Sequence, residues 1–244
     1  MNPTCFVGRR RSLVSIVFMN HLGSIVLEFR FLCRSLGDFL QSMCRLRLAG
    51  PCITIFGSAR LGEDEPAYHM ARDLGKSLGR AGFTIMTGGG PGLMEAVNRG
   101  AREAGARSLG CRIAFTFREP INGYLDRCST VRYFFVRKVV MCRPAIGFAV
   151  LPGGIGTLDE LFEILVLIQT KRMRPKPIVL LGTAYWRPLV ILLEEMVVAG
   201  TIAAGDMRLI KVTDDISDAV AFLAKPTGSA LFEPVEVRTS ARQV

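Results

Sequence analysis

The chain has no C-x-x-C pair, and its seven cysteines (5, 33, 44, 52, 111, 128 and 142) are scattered and odd in number. That spacing argues against a disulfide framework and against a zinc site, and it fits a protein kept in a reducing cytoplasm. No zinc-finger spacing, aromatic RNP pattern or helix-turn-helix accompanies the surplus of arginine and lysine, so the net charge of +10 does not make nucleic acid an expected partner. No apolar run reaches the roughly 20 residues that a membrane span needs. Asn20, His21, Glu28 and Arg30 interrupt the one stretch near the N-terminus that comes closest, and no membrane association is expected. A dinucleotide fingerprint of the form G-x-G-x-x-G and internal repeats are also missing. What is present is a length of 244 residues with 50% apolar content, enough to bury one large core.

The charge is unevenly spread. Residues 1–50 hold seven arginines against Glu28 and Asp38, half of the net positive charge of the whole chain. Residues 1–23 are basic at Arg9, Arg10 and Arg11 and apolar just after, a feature shared with secretory and transit peptides, but no small-residue cleavage site follows. A targeting segment, an extension and a misassigned start all remain open. From about Ser24 to Arg47, Leu27, Phe31, Leu32, Leu36, Phe39, Leu40 and Met43 keep helical spacing, which predicts a helix packed on the domain. We therefore divide the chain into a basic extension and helix (1–49), one α/β domain (50–224) and a mobile tail (225–244).

Within the domain, short apolar runs alternate with helical periods. Strands are expected over Cys52–Phe56, Phe83–Thr87, Ser108–Phe115, Ile146–Leu151, Pro177–Gly182 and Arg208–Thr213. Helices are expected over about 66–81, after Thr87, after Leu151, and over Trp186–Ala199 and Ile216–Ala224, with Arg118–Asp126 a loop. Strands alternating with helices predict a parallel sheet covered on both faces.

Three strand ends carry polar or glycine-rich chemistry. The first strand opens into Gly57-Ser58-Ala59-Arg60, the second into Gly88-Gly89-Gly90 before a helix bearing Glu95 and Asn98, and the fourth into Pro152-Gly153-Gly154-Ile155-Gly156-Thr157. Glycines at 153, 154 and 156 permit positive φ and a close approach of backbone to ligand, and the N-terminus of the next helix favours an anion, phosphate being the expected occupant. Glu160 has two readings: the partner of Thr157 in a capping box, or a carboxylate beside the sugar of a bound nucleotide. Glu95 likewise reads as a first-turn stabiliser or a ligand contact. The adjacent cations Arg137 and Lys138 precede the central strand, where a guanidinium can fork onto phosphate or hold a carboxylate.

The combination of TGGGPGLMEA, RKVVM and PGGIGTLDE, in that order, resembles the LOG (LONELY GUY) family, long labelled putative lysine decarboxylases. The resemblance spans roughly Gly50 to Ala224 and is closest to its longer bacterial branch, on the GPCITIFGSAR and YFFVRK stretches. It implies a Rossmann-like, doubly wound homodimer, or a dimer of dimers, with the site shared across the interface. The implied reaction hydrolyses the N-glycosidic bond of a cytokinin riboside monophosphate or AMP, without cofactor or metal. By position, Arg137 and Glu160 fall on the catalytic pair, and Lys138, Gly153, Gly154, Ile155, Gly156, Thr157, Leu158 and Asp159 on substrate contacts. Ser58, Gly88, Gly89 and Gly90 join them as binding residues, and Glu119 matches a substrate-binding glutamate of the plant branch. A non-catalytic nucleotide-binding or carrier module of the same fold is the alternative. Both members of the Arg137 and Glu160 pair are present, which favours catalysis. The chain departs from the longer branch at Phe115-Thr116, at Arg118-Glu119, at Val166 in place of threonine, and at Pro144, expected to kink the entry to the central strand. Nothing marks a Schiff-base lysine.

Overall fold

The computed structural model describes residues 13–46, 50–114 and 120–225, with side chains from residue 25 onward. Residues 1–12, the departures at 115–119 with Glu119 among them, and nearly all of the tail lie outside the described residues. Seven strands form one sheet: β1 (Cys52–Phe56), β2 (Thr84–Thr87), β3 (Ser108–Ile113), β4 (Arg127–Val131), β5 (Ala145–Val150), β6 (Ile178–Leu181) and β7 (Ile210–Thr213). Their order is β4-β3-β2-β1-β5-β6-β7 and every neighbouring pair is parallel. Parallel strands packed on both faces have no solvent side, which is why CITIF, TIMT and IVLL are short apolar runs, buried at every position.

The helices are α1 (Leu13–Arg45), α2 (Pro66–Arg80), α3 (Leu93–Glu103), α4 (Phe134–Cys142), α5 (Ile155–Gln169), α6 (Thr183–Val198) and α7 (Ile216–Leu223). Two cores result. Val140, Leu161, Ile164 and Trp186 of α4, α5 and α6 cover one face of the sheet, while Leu74, Leu78, Val97 and Leu223 of α2, α3 and α7 cover the other. This is the doubly wound α/β arrangement expected. From β1 the chain winds outward through β2, β3 and β4, then returns to place β5 on the other side of β1. The switch point between β1 and β5 opens a crevice at the carboxyl ends of the strands, where ligands bind in such folds.

Two expectations fail in instructive ways. Strand β4 was not foreseen, because an edge strand is only partly buried, and RCSTV offers neither a continuous apolar run nor a clean alternation. Helix α1 begins at Leu13, well before Ser24, and from Ile25 onward most of its apolar residues are exposed rather than buried in the core. Leu27, Leu32, Leu36 and Leu40 are more than half exposed, whereas Phe39 and Met43 reach the core. Polar contacts fix its C-terminal half to the body. Asp38 accepts from the Arg132 backbone N–H and guanidinium, both at 2.8 Å, and the Ser42 and Ser129 hydroxyls bond at 2.7 Å. Pro144 precedes a register irregularity between β1 and β5, in which Cys52 faces Ala145 and Ile53 faces Gly147.

Helices α2 and α3 touch through glycine. A Cβ on Gly100 would lie 1.9 Å from the Arg72 carbonyl oxygen, and one on Gly75 would lie 2.2 Å from that of Val97. Alanine is ordinarily the better helix former by about 1 kcal/mol. Here the clash is with backbone and outweighs propensity, since overpacking costs about 1–3 kcal/mol. Gly100→Ala is therefore expected to lower Tm by on the order of 5 °C, at ~2–4 °C per kcal/mol for a chain of this size. A thermal melt at or above the parent value would show that the two helices can separate freely.

Candidate active site

A cavity of about 580 Å³ occupies the switch-point crevice. The loop after β1 (Gly57, Ser58, Ala59, Arg60), the loop after β2 (Gly88, Gly90), the end of β3 (Arg112, Ile113), the first turns of α3 and α4 (Met94, Phe134, Arg137) and the start of α5 all line it. Ser58 joins these loops through its main chain: its N–H donates to Pro152 O at 3.0 Å and its carbonyl accepts from Leu93 N–H at 2.9 Å. Tyr185 on α6 donates its hydroxyl to Gly153 O at 2.7 Å, fixing the loop from behind.

The decisive side chains are Arg137 and Glu160, 23 residues apart in sequence and paired across the cavity floor. Arg137 Nε donates to Cys111 O at 3.1 Å and Nη1 to Glu160 Oε1 at 3.4 Å. Gly88 makes room for this guanidinium, since a Cβ there would stand 2.5 Å from Nη2. Glu160 is only 3% exposed, and its Oε2 is the one buried side-chain polar atom without a hydrogen-bond partner among the described residues. Burial raises its pKa above the usual carboxylate value, opposed by the charges of Arg137 and Lys138. An unsatisfied buried carboxylate oxygen is costly, and such costs concentrate where a ligand completes the bonding.

The capping-box reading of Glu160 does not survive. Helix α5 starts at Ile155 with Gly154 as its N-cap and no side-chain cap, so Thr157 is already inside the first turn. Its side chain instead folds onto Gly153, where a Cβ would meet Oγ1 at 2.2 Å. The positive φ that Gly153, Gly154 and Gly156 permit is adopted by none of the three. Their contribution is the missing Cβ: nothing lies within 4 Å of a Cβ on Gly154 or Gly156. The N–H groups of Ile155 and Gly156, in the first turn of α5, have no intrahelical acceptor, the ordinary condition for anion binding.

Of the expected residues, Ser58, Gly88, Gly90, Arg137, Gly154, Ile155, Gly156, Thr157 and Glu160 line the cavity. Lys138, Gly153, Leu158, Asp159 and Gly89 are not in its wall. Lys138 pairs with Asp159 at 2.9 Å and Glu163 at 3.4 Å. Gly89, at φ +72°, backs onto Gly110 and Arg112, and its N–H is taken by Thr87 Oγ1 at 3.0 Å. A buried network explains that loop: Thr87 Oγ1 bonds Asn98 Oδ1 at 2.6 Å, and Asn122 Nδ2 donates to Gly90 O at 3.0 Å and to Asn98 Oδ1 at 3.1 Å. Asn98 is thus structural, and Glu95 lies outside the wall with the Tyr68 hydroxyl at 3.5 Å. Val166 is half exposed on α5 and also lies outside the wall. Sequence reasoning missed Arg112, Met94, Ile113 and Phe134. Arg112 and Ile113 were findable as the carboxyl end of a parallel strand, the edge where ligands gather.

A model of the family described as possible lysine decarboxylase matches residues 94–223, more than half of the chain. The chain belongs to the LOG family. The cytokinin riboside 5′-monophosphate phosphoribohydrolase of Rhodococcoides fascians is 30% identical over 178 residues, 71% of this chain and 89% of that protein. An Arabidopsis thaliana enzyme of the same name is 30% identical over 65% of this chain and 74% of its own length. Among solved structures, the molybdenum cofactor carrier protein of Chlamydomonas reinhardtii superposes with a TM-score of 0.53 at 26% identity, covering 71% of this chain and 95% of that one. A molybdenum cofactor binding protein of Rippkaea orientalis shares the fold at 19% identity, with a TM-score of 0.54 over 71% of this chain and 95% of its own. Among the described residues the cavity lining has arginines and no lysine.

Proposed function

We propose that the protein hydrolyses the N-glycosidic bond of a purine or cytokinin riboside 5′-monophosphate, releasing the free base and ribose 5-phosphate. The observation that carries this reading is the buried Glu160 carboxylate in the cavity lining, held by Arg137 through one oxygen while the other is buried without a partner. The phosphate sits at the start of α5, on the N–H groups of Ile155 and Gly156. The ribose then lies beside Glu160. As the bond from C1′ to the base nitrogen breaks, positive charge develops on the ring, and a carboxylate stabilises it and takes a proton from the attacking water. Water supplies the C1′ hydroxyl, and the base leaves with a proton. Arg137 orients the carboxylate and stabilises charge on the departing side.

The test is incubation with AMP and with isopentenyladenosine monophosphate, followed by chromatography for free base. Because the α5 start takes the phosphate, the monophosphates are expected to be cleaved far faster than adenosine, on the order of 10²-fold in kcat/KM, which corresponds to about 2.7 kcal/mol. Equal rates on nucleotide and nucleoside would remove the phosphate from this model.

Two further points belong to the same reading. Ile155 is 87% exposed and Phe134 55% exposed beside the cavity, an apolar mouth that a second copy would close in a homodimer with a shared site. The likeness to a molybdenum cofactor carrier favours a second reading, a carrier that binds its ligand in the same cavity without turnover. Saturable nucleotide binding with no release of base would favour the carrier.

A further inference from the structure

Helix α1 precedes the segment matched by the family model, and among the described residues none of its side chains lines the cavity. One side of it nevertheless carries six large apolar side chains, Ile25, Val26, Phe29, Leu32, Leu36 and Leu40, each between 54% and 65% exposed. Ile25, Phe29, Leu32 and Leu36 follow one another at steps of four, three and four residues. The same rhythm continues through Phe39 and Met43, which pack on the core, and in the sequence it extends back to Leu22 and Phe18. Sustained alternation of three and four is the seam of a helix that pairs with another helix. The basic residues Arg30 and Arg34, with Gln41 and the equally exposed Leu27, fall away from the seam, and Glu28 borders it one turn before Leu32.

We propose that α1 is a self-association element, its seam covered by the same helix of a second copy of this chain. A seam favours a helical partner over a lipid surface, because a lipid face requires breadth but not a fixed rhythm. The size is also suitable. Covering the six side chains removes roughly 650 Å² on each copy, near the ~800 Å² per partner of a standard stable interface. The packed side of α1, with Ser35, Asp38 and Ser42 buried against the body, holds the helix in place, so pairing does not need to order it first.

The test uses the full chain and Leu32→Glu/Leu36→Glu, both changes being on the exposed seam and so expected to leave the circular dichroism spectrum unaltered. Light scattering should show the mass halved relative to the parent, with any nucleotide hydrolysis unchanged, since the cavity is untouched. Cys33, exposed and next to Leu32, should yield a covalent dimer with a short bismaleimide, lost in Cys33→Ser. An unchanged mass in the double variant overturns the proposal, as does a parent that yields no covalent dimer. Co-sedimentation of a monomeric parent with phosphatidylserine vesicles, abolished by the same double variant, would replace the second copy with a lipid surface and equally overturn it.

Discussion

Glu160→Gln is expected to abolish turnover while leaving the protein at least as stable as the parent. Glutamine keeps the shape of the side chain and an oxygen to accept from Arg137, now at 3.4 Å from Glu160 Oε1. It cannot take a proton from water or stabilise an oxocarbenium-like ring, so kcat should fall by on the order of 10²–10⁴. The stability sign follows from linkage. Burial holds the Glu160 pKa above its unfolded value, so the folded protein binds this proton more tightly, and ionisation at neutral pH works against folding. Removing the charge should leave Tm at pH 7 level or raised by a few degrees. For the parent, kcat/KM should decline as pH falls through the raised carboxylate pKa, an acid limb above the ordinary carboxylate range. A variant that retains turnover but melts lower would make Glu160 structural and move the reacting carboxylate elsewhere.

The second large effect is expected at a residue with no functional group. Gly88→Ala places a methyl 2.5 Å from Arg137 Nη2 and 2.7 Å from Met94 Sδ. Both atoms end flexible side chains, so the fold can accommodate the change by swinging Arg137 away from its seat. Glu160 then loses the nearby cation that opposes the effect of burial. Displacement of a positioned group by about 1 Å can cost 10²-fold in rate. We expect a loss of kcat of that order, an acid limb moved to higher pH, and little change in Tm. A loss confined to KM with the pH profile unmoved would mean that Gly88 serves as phosphate cradle rather than as the seat of the arginine.

The fold was largely legible because buried parallel strands and amphipathic helices leave periodic signals: CITIF, FAVL and IVLL could hardly be anything else. The pairing of Arg137 with Glu160 was legible only through motif resemblance, as no periodicity reports that residues on α4 and α5 will meet. What escaped depends on three-dimensional packing. Lys138 was placed on the substrate by motif position alone; adjacent positions on a helix diverge by about 100°, and its side chain pairs with Asp159 and Glu163. Thr157 looked like a cap because T-x-x-E is a helix-start pattern, yet the helix begins three residues earlier, with Gly154 as its N-cap. On α1, spacing announced an apolar face without saying whether the domain or another molecule would cover it.

The Ser58 junction has a consequence for how such a site can diversify. The three loops around the cavity are held in register by a peptide N–H and a carbonyl of residue 58 rather than by its hydroxyl, which accepts only from the nearby Arg60 N–H. Any side chain supplies those two main-chain groups; proline alone forfeits the donor. Position 58 is therefore free to vary toward a new ligand without loosening the scaffold around it, which makes it the natural first position to randomise in a library selected for altered substrate preference.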